Sequence, residues 1–304
     1  MESKEIYDQV NKRYGSIDKS STGQYEQTVA KAFGYTEKEL AAIPEGANLG
    51  LSCGNPLALA KLRNGETVVD FGSGAGFDVF AAANMVGPSG KAIGIDMNEN
   101  MIKKANANKV KSSAKNLEFV QGAITAIPLQ DNIADCIISN CVINLVPKSE
   151  KQLAFNEMYR LLVPGGRVAI SDILARKEMT EDMKENIALY VGCISGASQV
   201  SEYELYLKKA GFGDILVVDN KSDLNVYMTA AEDGESCCAP MTESGSCAME
   251  EKETCCQSPS STCGYQDKTS LAGEARSRAA ATIISDFNEW AGSFQVYAVK
   301  PLRK

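Results

Sequence analysis

The sequence contains no histidine among its 304 residues. Histidine is the side chain that enzymes use most often as a general base, because its pKa lies near neutral pH. A reaction whose nucleophile must lose a proton would need another base in this chain. The absence therefore favours a nucleophile that attacks through a free lone pair and has no proton to remove.

Clusters of basic residues and long apolar runs are also missing. The formal net charge is -8, whereas a protein that neutralises nucleic-acid phosphates needs a basic face. No apolar run approaches the roughly 18 residues that a membrane span needs, and the N-terminal "MESKEIYDQVNKRYG" has no apolar signal core. We expect no nucleic-acid or membrane partner and a cytoplasmic location, where the ten cysteines stay mostly reduced.

The chain has the composition of a globular protein with a sizeable core, since 44% of its residues are hydrophobic. Its first sixty or so residues show helical spacing, as in Ile6, Val10 and Tyr14, and a capping box is predicted at Thr36 and Glu39. From Thr67 onward, short apolar runs alternate with amphipathic segments. These runs are "TVVDF", "KAIGID", "LEFVQG", "DCIIS" and "GGRVAISDI". The pattern predicts an α/β fold whose mostly parallel sheet is covered on both faces.

The later part of the chain changes character. Two runs, "DILVVD" and "LNVYMT", lie so close together that an antiparallel hairpin is predicted, with the sheet ending near Ala230. Beyond it, "EARSRAAATIISDFNEW" predicts a helix and "FQVYAV" a final strand. We divide the chain into an N-terminal helical cap, the sheet domain, a cysteine-rich flexible linker and a small C-terminal helix and strand region, at residues 1–66, 67–230, 231–268 and 269–304.

A glycine loop follows the first predicted strand, in "VVDFGSGAGFDVFAAA". Gly72, Gly74 and Gly76 allow a tight turn and close approach of the backbone to a ligand. The dinucleotide fingerprint G-x-G-x-x-G fits poorly, because Phe77 occupies the position of its third glycine. The pattern D-x-G-x-G-x-G, which starts at Asp70, instead resembles motif I of the class I S-adenosylmethionine-dependent methyltransferases.

This resemblance covers residues 67–230 and implies a Rossmann-like sheet that binds S-adenosylmethionine. Asp96 ends the second predicted strand, where a carboxylate can accept hydrogen bonds from both ribose hydroxyls. Met97 would cover the adenine, and Ala123 and Ile124 in "QGAITAIPL" would lie beside it. The expected cofactor-binding residues are therefore Asp70, Gly72, Ser73, Gly74, Gly76, Asp96, Met97, Ala123, Ile124 and Asn140.

Three scattered cysteines point to one family within these methyltransferases. Cys53, Cys141 and Cys193 lie in "GLSCGNP", "SNCVINLVP" and "GCISGA", which in this order look like the arsenic-binding motifs of arsenite methyltransferases. Trivalent arsenic suits soft thiolate ligands, and with three of them it keeps a lone pair for attack on a methyl group. The resemblance implies an arsenic-detoxifying transferase supplied with arsenite or its thiol conjugates and with small thiols or thioredoxin as reductant. Cys136, two residues into a strand, is predicted to be an apolar core residue.

Two other functions remain open from the sequence. A quinone or other small-molecule C-methyltransferase would explain the sheet motifs but leave the three thiols idle. A metal-sequestering protein on a methyltransferase-like core would use the linker cysteines, Cys237, Cys238, Cys247, Cys255, Cys256 and Cys263. These form no C-x-x-C pair, so a structural zinc site is weakly supported. A thiol shuttle and a tail with no specific role are equally compatible with them.

Overall fold

The computed structural model describes residues 2–17, 23–112, 114–186, 190, 193–229 and 286–302. Within these ranges, seven strands form one sheet in the order β3-β2-β1-β4-β5-β7-β6. β1 to β5 are parallel neighbours, and β7 runs antiparallel to both β5 and β6. The predicted class, a mostly parallel α/β sheet with a late antiparallel pair, is confirmed. The strands are Thr67–Phe71, Lys91–Asp96, Leu117–Gln121, Ala134–Asn140, Leu162–Ala175, Gly213–Asp219 and Ala291–Val299.

The described helices precede the sheet or follow its strands. α1 to α4 precede β1, α5 and α6 follow β1 and β2, α7 follows β4, α8 and α9 follow β5, and the short α10 follows β6. They are Ser3–Gly15, Gln24–Ala32, Glu37–Ala41, Pro56–Ala60, Phe77–Val86, Glu99–Lys111, Lys151–Leu161, Glu181–Glu185, Val200–Ala210 and Val226–Thr229. Single 3-10 turns lie at Glu45–Ala47, Ile143–Leu145 and Phe287–Glu289. The predicted capping box at Thr36 and Glu39 opens α3.

The central strands are buried on both faces because successive side chains of a strand point to opposite sides of the sheet. Val68 of β1 packs in one core cluster with residues of α4 and α5. Its neighbour Val69 packs in another, with residues of α7 and α9. This is why the strands read as short continuous apolar runs. The same arrangement brings the carboxyl ends of the parallel strands to one edge of the sheet, where ligands bind in open α/β folds.

One predicted strand is wrong. "LNVYMT" contains α10, and the antiparallel partner of β6 is β7, which begins more than sixty residues after β6 ends. Leu224 and Tyr227 are both buried in one core cluster, and their spacing of three residues suits one face of a helix. β7 pairs with β5 from Ala291 to Val299, so the sheet does not end near Ala230. The "FQVYAV" run is a strand, as predicted, and it lies inside the sheet.

Several sequence predictions fall on residues that the structure does not describe. These are the linker at 231–268, with its six cysteines, and most of the helix predicted over 274–290. At the end of that helix, residues 287–289 form a 3-10 turn. Among the residues described, no helix has the length and apolar character needed to cross a bilayer.

Candidate active site at the strand edge

A cleft lies at the carboxyl edge of the sheet, beside the glycine loop. Its lining includes Cys141 and seven of the predicted cofactor residues, Gly72, Gly74, Asp96, Met97, Ala123, Ile124 and Asn140. Helix α1 covers part of the cleft with Tyr7, Val10, Asn11 and Tyr14. Asp70 and Ser73 line an adjoining hollow that shares Gly72, Gly74 and Asn140 with the cleft. The strand topology thus gathers nine of the ten predicted cofactor residues in one place, and only Gly76 lines neither the cleft nor the hollow.

The backbone of the glycine loop requires glycine at two positions in particular. Gly72 has a φ of +75°, and a Cβ there would collide with the side chain of Val142. Gly76 has a φ of +97°, and its Cβ would lie 2.7 Å from the ring of Phe119. Positive φ angles are costly for residues that have a Cβ. The amides of Gly72 and Ser73 both donate to the carbonyl of Ile95, at 2.8 Å, which fixes the loop against β2.

Asp96 is held in a defined orientation next to this loop. Its Oδ2 accepts a hydrogen bond from the Gly74 amide at 2.9 Å, and its Oδ1 accepts one from the Asn98 amide at 2.8 Å. Each carboxylate oxygen has a second lone pair. Asp96 can therefore accept hydrogen bonds from the two hydroxyls of a ribose.

Three carboxyl groups surround the glycine loop. Burial, followed by the charges of Asp78 and Asp96, raises the pKa of Asp70 well above its usual value. Burial raises the pKa of Asp78 to about 6, against the opposing effect of hydrogen bonds from Tyr35 and Asn140. Burial also raises the pKa of Asp96. A cationic ligand suits this group of acids, because opposite charge favours their ionised form. S-Adenosylmethionine, with its sulfonium and ammonium groups, fits the site.

Cys141 lies close to each of the other two candidate arsenic ligands, beside Asn140. The Sγ atoms of Cys53 and Cys141 and a carboxylate oxygen of Asp172 all lie within 4.8 Å of one another. The Sγ of Cys193 donates to the backbone oxygen of Cys141 at 3.2 Å. Cys53 and Cys193 are buried, and Cys141 is half-buried. Cys136 packs elsewhere, in the core cluster of α4 and α5, in keeping with its predicted structural role.

Two of these cysteines have an unusual backbone conformation. Cys141 has a φ of +60° and Cys193 a φ of +64°. Side chains with a Cβ rarely adopt this left-handed region, and such residues cluster at functional sites. The strain places Cys141 where β4 ends and turns away from the sheet, with its amide donating to the Ser171 carbonyl at 2.9 Å.

The thiols of Cys141 and Cys193 are protonated near neutral pH. For Cys141, a hydrogen bond with Cys193 lowers the pKa, but a hydrogen bond with Cys53 and burial raise it, and the result is well above the usual value. The hydrogen bond with Cys141 and burial raise the pKa of Cys193 in the same direction. A thiophilic centre must therefore displace these protons when it binds.

Asn140 connects the cofactor side to the thiols. Its Oδ1 accepts hydrogen bonds from the Cys53 amide at 3.2 Å and the Cys53 thiol at 3.7 Å. Its Nδ2 lies 3.0 Å from the Gly54 carbonyl, Asp78 Oδ2 and the Tyr35 hydroxyl. The sequence motifs predict Asn140 as a cofactor contact, and they give no role to Tyr35 or Asp78. Asp78, on the buried face of a helix, was the available signal.

A second buried polar network lies behind Cys193. Asn144 donates to Asp172 Oδ1 at 2.9 Å, and the Tyr203 hydroxyl donates to Asp172 Oδ2 at 2.6 Å. Lys151 Nζ donates to the Gly196 carbonyl at 2.5 Å and to Ser198 Oγ at 2.9 Å. These contacts fasten the segment after Cys193 to α7, while Asn144 fastens the turn after Cys141 to β5. A lysine on the apolar face of α7 was a signal that sequence analysis did not use.

Burial governs the ionisation of this second network. It raises the pKa of Asp172 to about 6, opposed by the Tyr203 hydrogen bond and the charge of Lys151. It lowers the pKa of Lys151 to about 8, opposed mainly by the charge of Asp172. Each group thus favours the charged form of the other. The pair keeps a carboxylate beside the thiols without an uncompensated buried charge.

Comparison with known proteins finds similarity to methyltransferases. Residues 62–211 match the sequence model of a methyltransferase domain family. Over 218 residues the chain is 46% identical to an arsenite methyltransferase of Halobacterium salinarum, covering 68% of this chain and 55% of that protein. It is 34% identical to an arsenite methyltransferase of Aquipseudomonas alcaligenes, covering 59% of this chain and 52% of that protein. The chain thus spans about half the length of these relatives.

A solved structure shares the fold. It is that of an arsenic(III) S-adenosylmethionine methyltransferase from Chlamydomonas reinhardtii, which superposes with a TM-score of 0.52. The superposition covers 90% of this chain and 73% of the other, at 21% sequence identity. At this identity the likeness concerns the fold alone.

Proposed function

Because the chain belongs to the S-adenosylmethionine-dependent methyltransferases through residues 62–211, we propose that it methylates trivalent arsenic held by Cys53, Cys141 and Cys193. The observation that carries this proposal is the convergence of three thiols, from three distant segments, beside the cofactor cleft. The similarity to arsenite methyltransferases supports the same substrate. The purpose would be arsenic detoxification.

The chain would hold the cofactor mainly through its first two strand ends. In this proposal Asp96 binds the ribose hydroxyls, and Met97, Ala123 and Ile124 contact the adenine. Gly72, Ser73, Gly74 and Gly76 let the backbone approach the methionine part, whose cationic groups the carboxylates of Asp70 and Asp78 favour. When bound, S-adenosylmethionine supplies an electrophilic methyl group on a sulfonium. Asn140 borders both the cofactor cleft and the thiols, so it marks the passage between them.

The three thiols would capture arsenic by exchange. Each thiol replaces one hydroxyl or thiolate of the incoming arsenic(III), forming an As–S bond while its proton leaves with the displaced water or thiol. Three such bonds leave one lone pair on arsenic, which can attack the methyl carbon in line, with S-adenosylhomocysteine as the leaving group. No protein base is needed for the transfer, in agreement with the absence of histidine. Arsenic is oxidised to the pentavalent state, so a small thiol or thioredoxin would restore the trivalent form.

In this proposal α1 excludes water from the cleft. Val10 and Tyr14 line the cleft, and the Tyr14 hydroxyl lies 3.9 Å from Cys193 Sγ. Tyr7 donates to Glu150 at 2.8 Å, which holds the helix against the turn before α7. In our proposal residues 1–66 therefore act as a cap that also carries Cys53, and residues 67–230 as the cofactor-binding domain. The linker at 231–268 and the C-terminal region at 269–304 complete the division, although β7 of the latter lies inside the sheet of the cofactor-binding domain. A cytoplasmic location would keep the thiols reduced.

The alternative functions explain less. A quinone C-methyltransferase has no use for three converging thiols, two of them at strained backbone positions. Metal sequestration by the linker cysteines leaves the cofactor cleft without a role. The test is to incubate the purified chain with labelled S-adenosylmethionine and either arsenite or a quinone precursor. We expect label on arsenic and none on the quinone; the reverse would overturn the proposal.

A further inference from the structure

Tyr35 and Asp78 lie behind Cys53 and have no role in the scheme of three arsenic ligands. Both are buried, at 4% relative exposure each, and the Tyr35 hydroxyl donates to Asp78 Oδ1 at 2.6 Å. We propose that Tyr35 and Asp78, acting through Asn140, position Cys53 and thereby adapt the site to inorganic arsenite over methylated arsenic. This inference rests on the proposed function, because it concerns which arsenic species the thiols accept.

The direction of the Asn140 amide is the first step. A carboxylate offers only acceptor atoms, so Asp78 Oδ2, 3.0 Å from the Asn140 side chain, must face its NH₂ group. The Gly54 carbonyl, also 3.0 Å away, imposes the same orientation. Asn140 Oδ1 then necessarily points to the Cys53 amide and thiol. Asp78 and the Gly54 carbonyl together therefore determine which end of the amide meets Cys53.

Tyr35 fixes Asp78 in turn. Its hydroxyl donates to Oδ1 and leaves Oδ2 for Asn140. The Tyr35 ring lies 4.7 Å from the Phe77 ring, centroid to centroid, which holds the phenol in place. The series of contacts leads from Tyr35 to Asp78, then to Asn140 and Cys53, and Asn140 Nδ2 also donates directly to the Tyr35 hydroxyl at 3.0 Å. It begins in the N-terminal cap, passes through α5 and β4, and returns to the cap.

Cys53 is held by contacts from other segments, which include the Ser171 carbonyl at 3.7 Å from its sulfur and the Asn140 side chain. Cys141 follows directly from β4, and the Lys151 contacts fasten the segment after Cys193. Cys53 lies in the turn before α4, where Ser293 Oγ donates to its carbonyl at 2.6 Å. That contact fixes one side of the residue. The Asn140 side chain meets the other side, through the amide and the sulfur.

The arsenic species differ in how many thiolates they need. Inorganic arsenic(III) has three exchangeable positions and takes all three cysteines. Monomethylated arsenic(III) has two and can be held by Cys141 and Cys193 alone. A displaced Cys53 therefore impairs the first methylation and spares the second. Tyr35 and Asp78 would be positioning residues for the first step.

The test uses Tyr35→Phe and Asp78→Asn. Tyr35→Phe keeps the ring contact and removes the hydroxyl that meets both Asp78 and Asn140. Asp78→Asn removes one of the two groups that orient the Asn140 amide. We expect KM for inorganic arsenite to rise about tenfold in each, the size of one charge-assisted hydrogen bond. In Tyr35→Phe, KM for monomethylated arsenic(III) should stay within about twofold. Asp78→Asn also changes the cofactor site, so its two KM values are measured with S-adenosylmethionine saturating and compared as a ratio, which should shift about tenfold toward the monomethylated species. X-ray absorption at arsenic should show the As–S coordination number falling from three toward two.

Tyr159→Phe is the matched control, because it also removes one phenol hydroxyl, from a ring that packs on Phe212 away from the thiols. It should leave both KM values and the coordination number unchanged. Equal losses on both arsenic species in the Tyr35 and Asp78 variants, or three As–S bonds retained with unchanged KM, would overturn the inference. Failure of the unaltered chain to methylate arsenic at all would instead overturn the proposed function.

Discussion

The cofactor side and the thiol side of the strand edge are built in different ways. On the cofactor side, backbone amides of neighbouring loops orient the binding groups. For example, the Gly74 and Asn98 amides donate hydrogen bonds to the Asp96 carboxylate. On the thiol side, long-range side-chain contacts hold three distant segments together, as in the Asn140 and Asp172 networks. The first kind of site is formed by residues that lie close together in the sequence, within a local motif. The second exists only when the whole chain has folded, including β7, whose Ser293 contacts Cys53.

The difference has a consequence for tolerance to change. A backbone-built site should lose ligand affinity when one side chain is removed but keep its stability. A site built from buried side-chain networks should lose both. The predictions below probe this contrast, beginning with the largest effect.

Removing single thiols should have the largest effect on activity. Cys193→Ser should abolish methylation of both inorganic and monomethylated arsenic(III), because a hydroxyl is a harder and far less acidic ligand than a thiol. Cys53→Ser should abolish only the first methylation. Assays of both variants on both substrates, with S-adenosylmethionine saturating, measure this. Cys193→Ser with normal activity on either substrate would remove Cys193 from the ligand set.

Breaking the Asp172 network should cost stability. Asp172→Asn leaves Lys151 buried without its compensating carboxylate, and we expect a loss of about 3 kcal/mol in the free energy of unfolding. Adding Lys151→Met should recover part of that loss, since the uncompensated charge is gone. Urea unfolding of the single and double variants measures both values. Additive losses would show that the two groups do not interact.

On the cofactor side, Asp96→Ala should weaken binding of S-adenosylmethionine by about 1 to 3 kcal/mol, since charged hydrogen bonds to the ribose are lost. Because Asp96 is half-buried at the cleft, the free energy of unfolding should change by less than about 1 kcal/mol. Calorimetry gives the affinity and urea unfolding the stability. Unchanged affinity would place the ribose elsewhere in the cleft.

The smallest expected effect is a pH dependence of cofactor binding. Asp78 has a pKa of about 6, and a cationic ligand lowers the pKa of a nearby carboxyl. The complex then binds fewer protons than the unliganded chain, so affinity should rise with pH up to about 6 and level off above it. S-Adenosylhomocysteine, which lacks the sulfonium charge, should respond less. Titrations from acid to neutral pH compare the two, and equal slopes would argue against carboxylates near the sulfonium.

The two sides also differ in what sequence could predict. The glycine loop and Asp96 follow a local spacing, so their place at the strand edge follows from the strand pattern alone. The three cysteines were predicted through the resemblance of their motifs, and the structure brings them together. The roles of Tyr35, Asp78, Lys151 and Asp172 depend on which distant polar groups meet in the core, and no local pattern encodes that. The "LNVYMT" segment was misassigned because its apolar residues suit either a short strand or a helical turn, and packing of Leu224 and Tyr227 decides for the helix.

The most direct test of the account compares the two cysteines of one strand region. Cys136→Ser and Cys141→Ser make the same chemical change, in the apolar core and at the strand edge respectively. Both variants would be mixed with inorganic arsenite and labelled S-adenosylmethionine, and labelled methylarsenic would be measured. The account predicts that Cys136→Ser, while folded, still labels arsenic and that Cys141→Ser does not. Ordinary labelling by Cys141→Ser would contradict the claim that arsenic is held by the thiols at this edge.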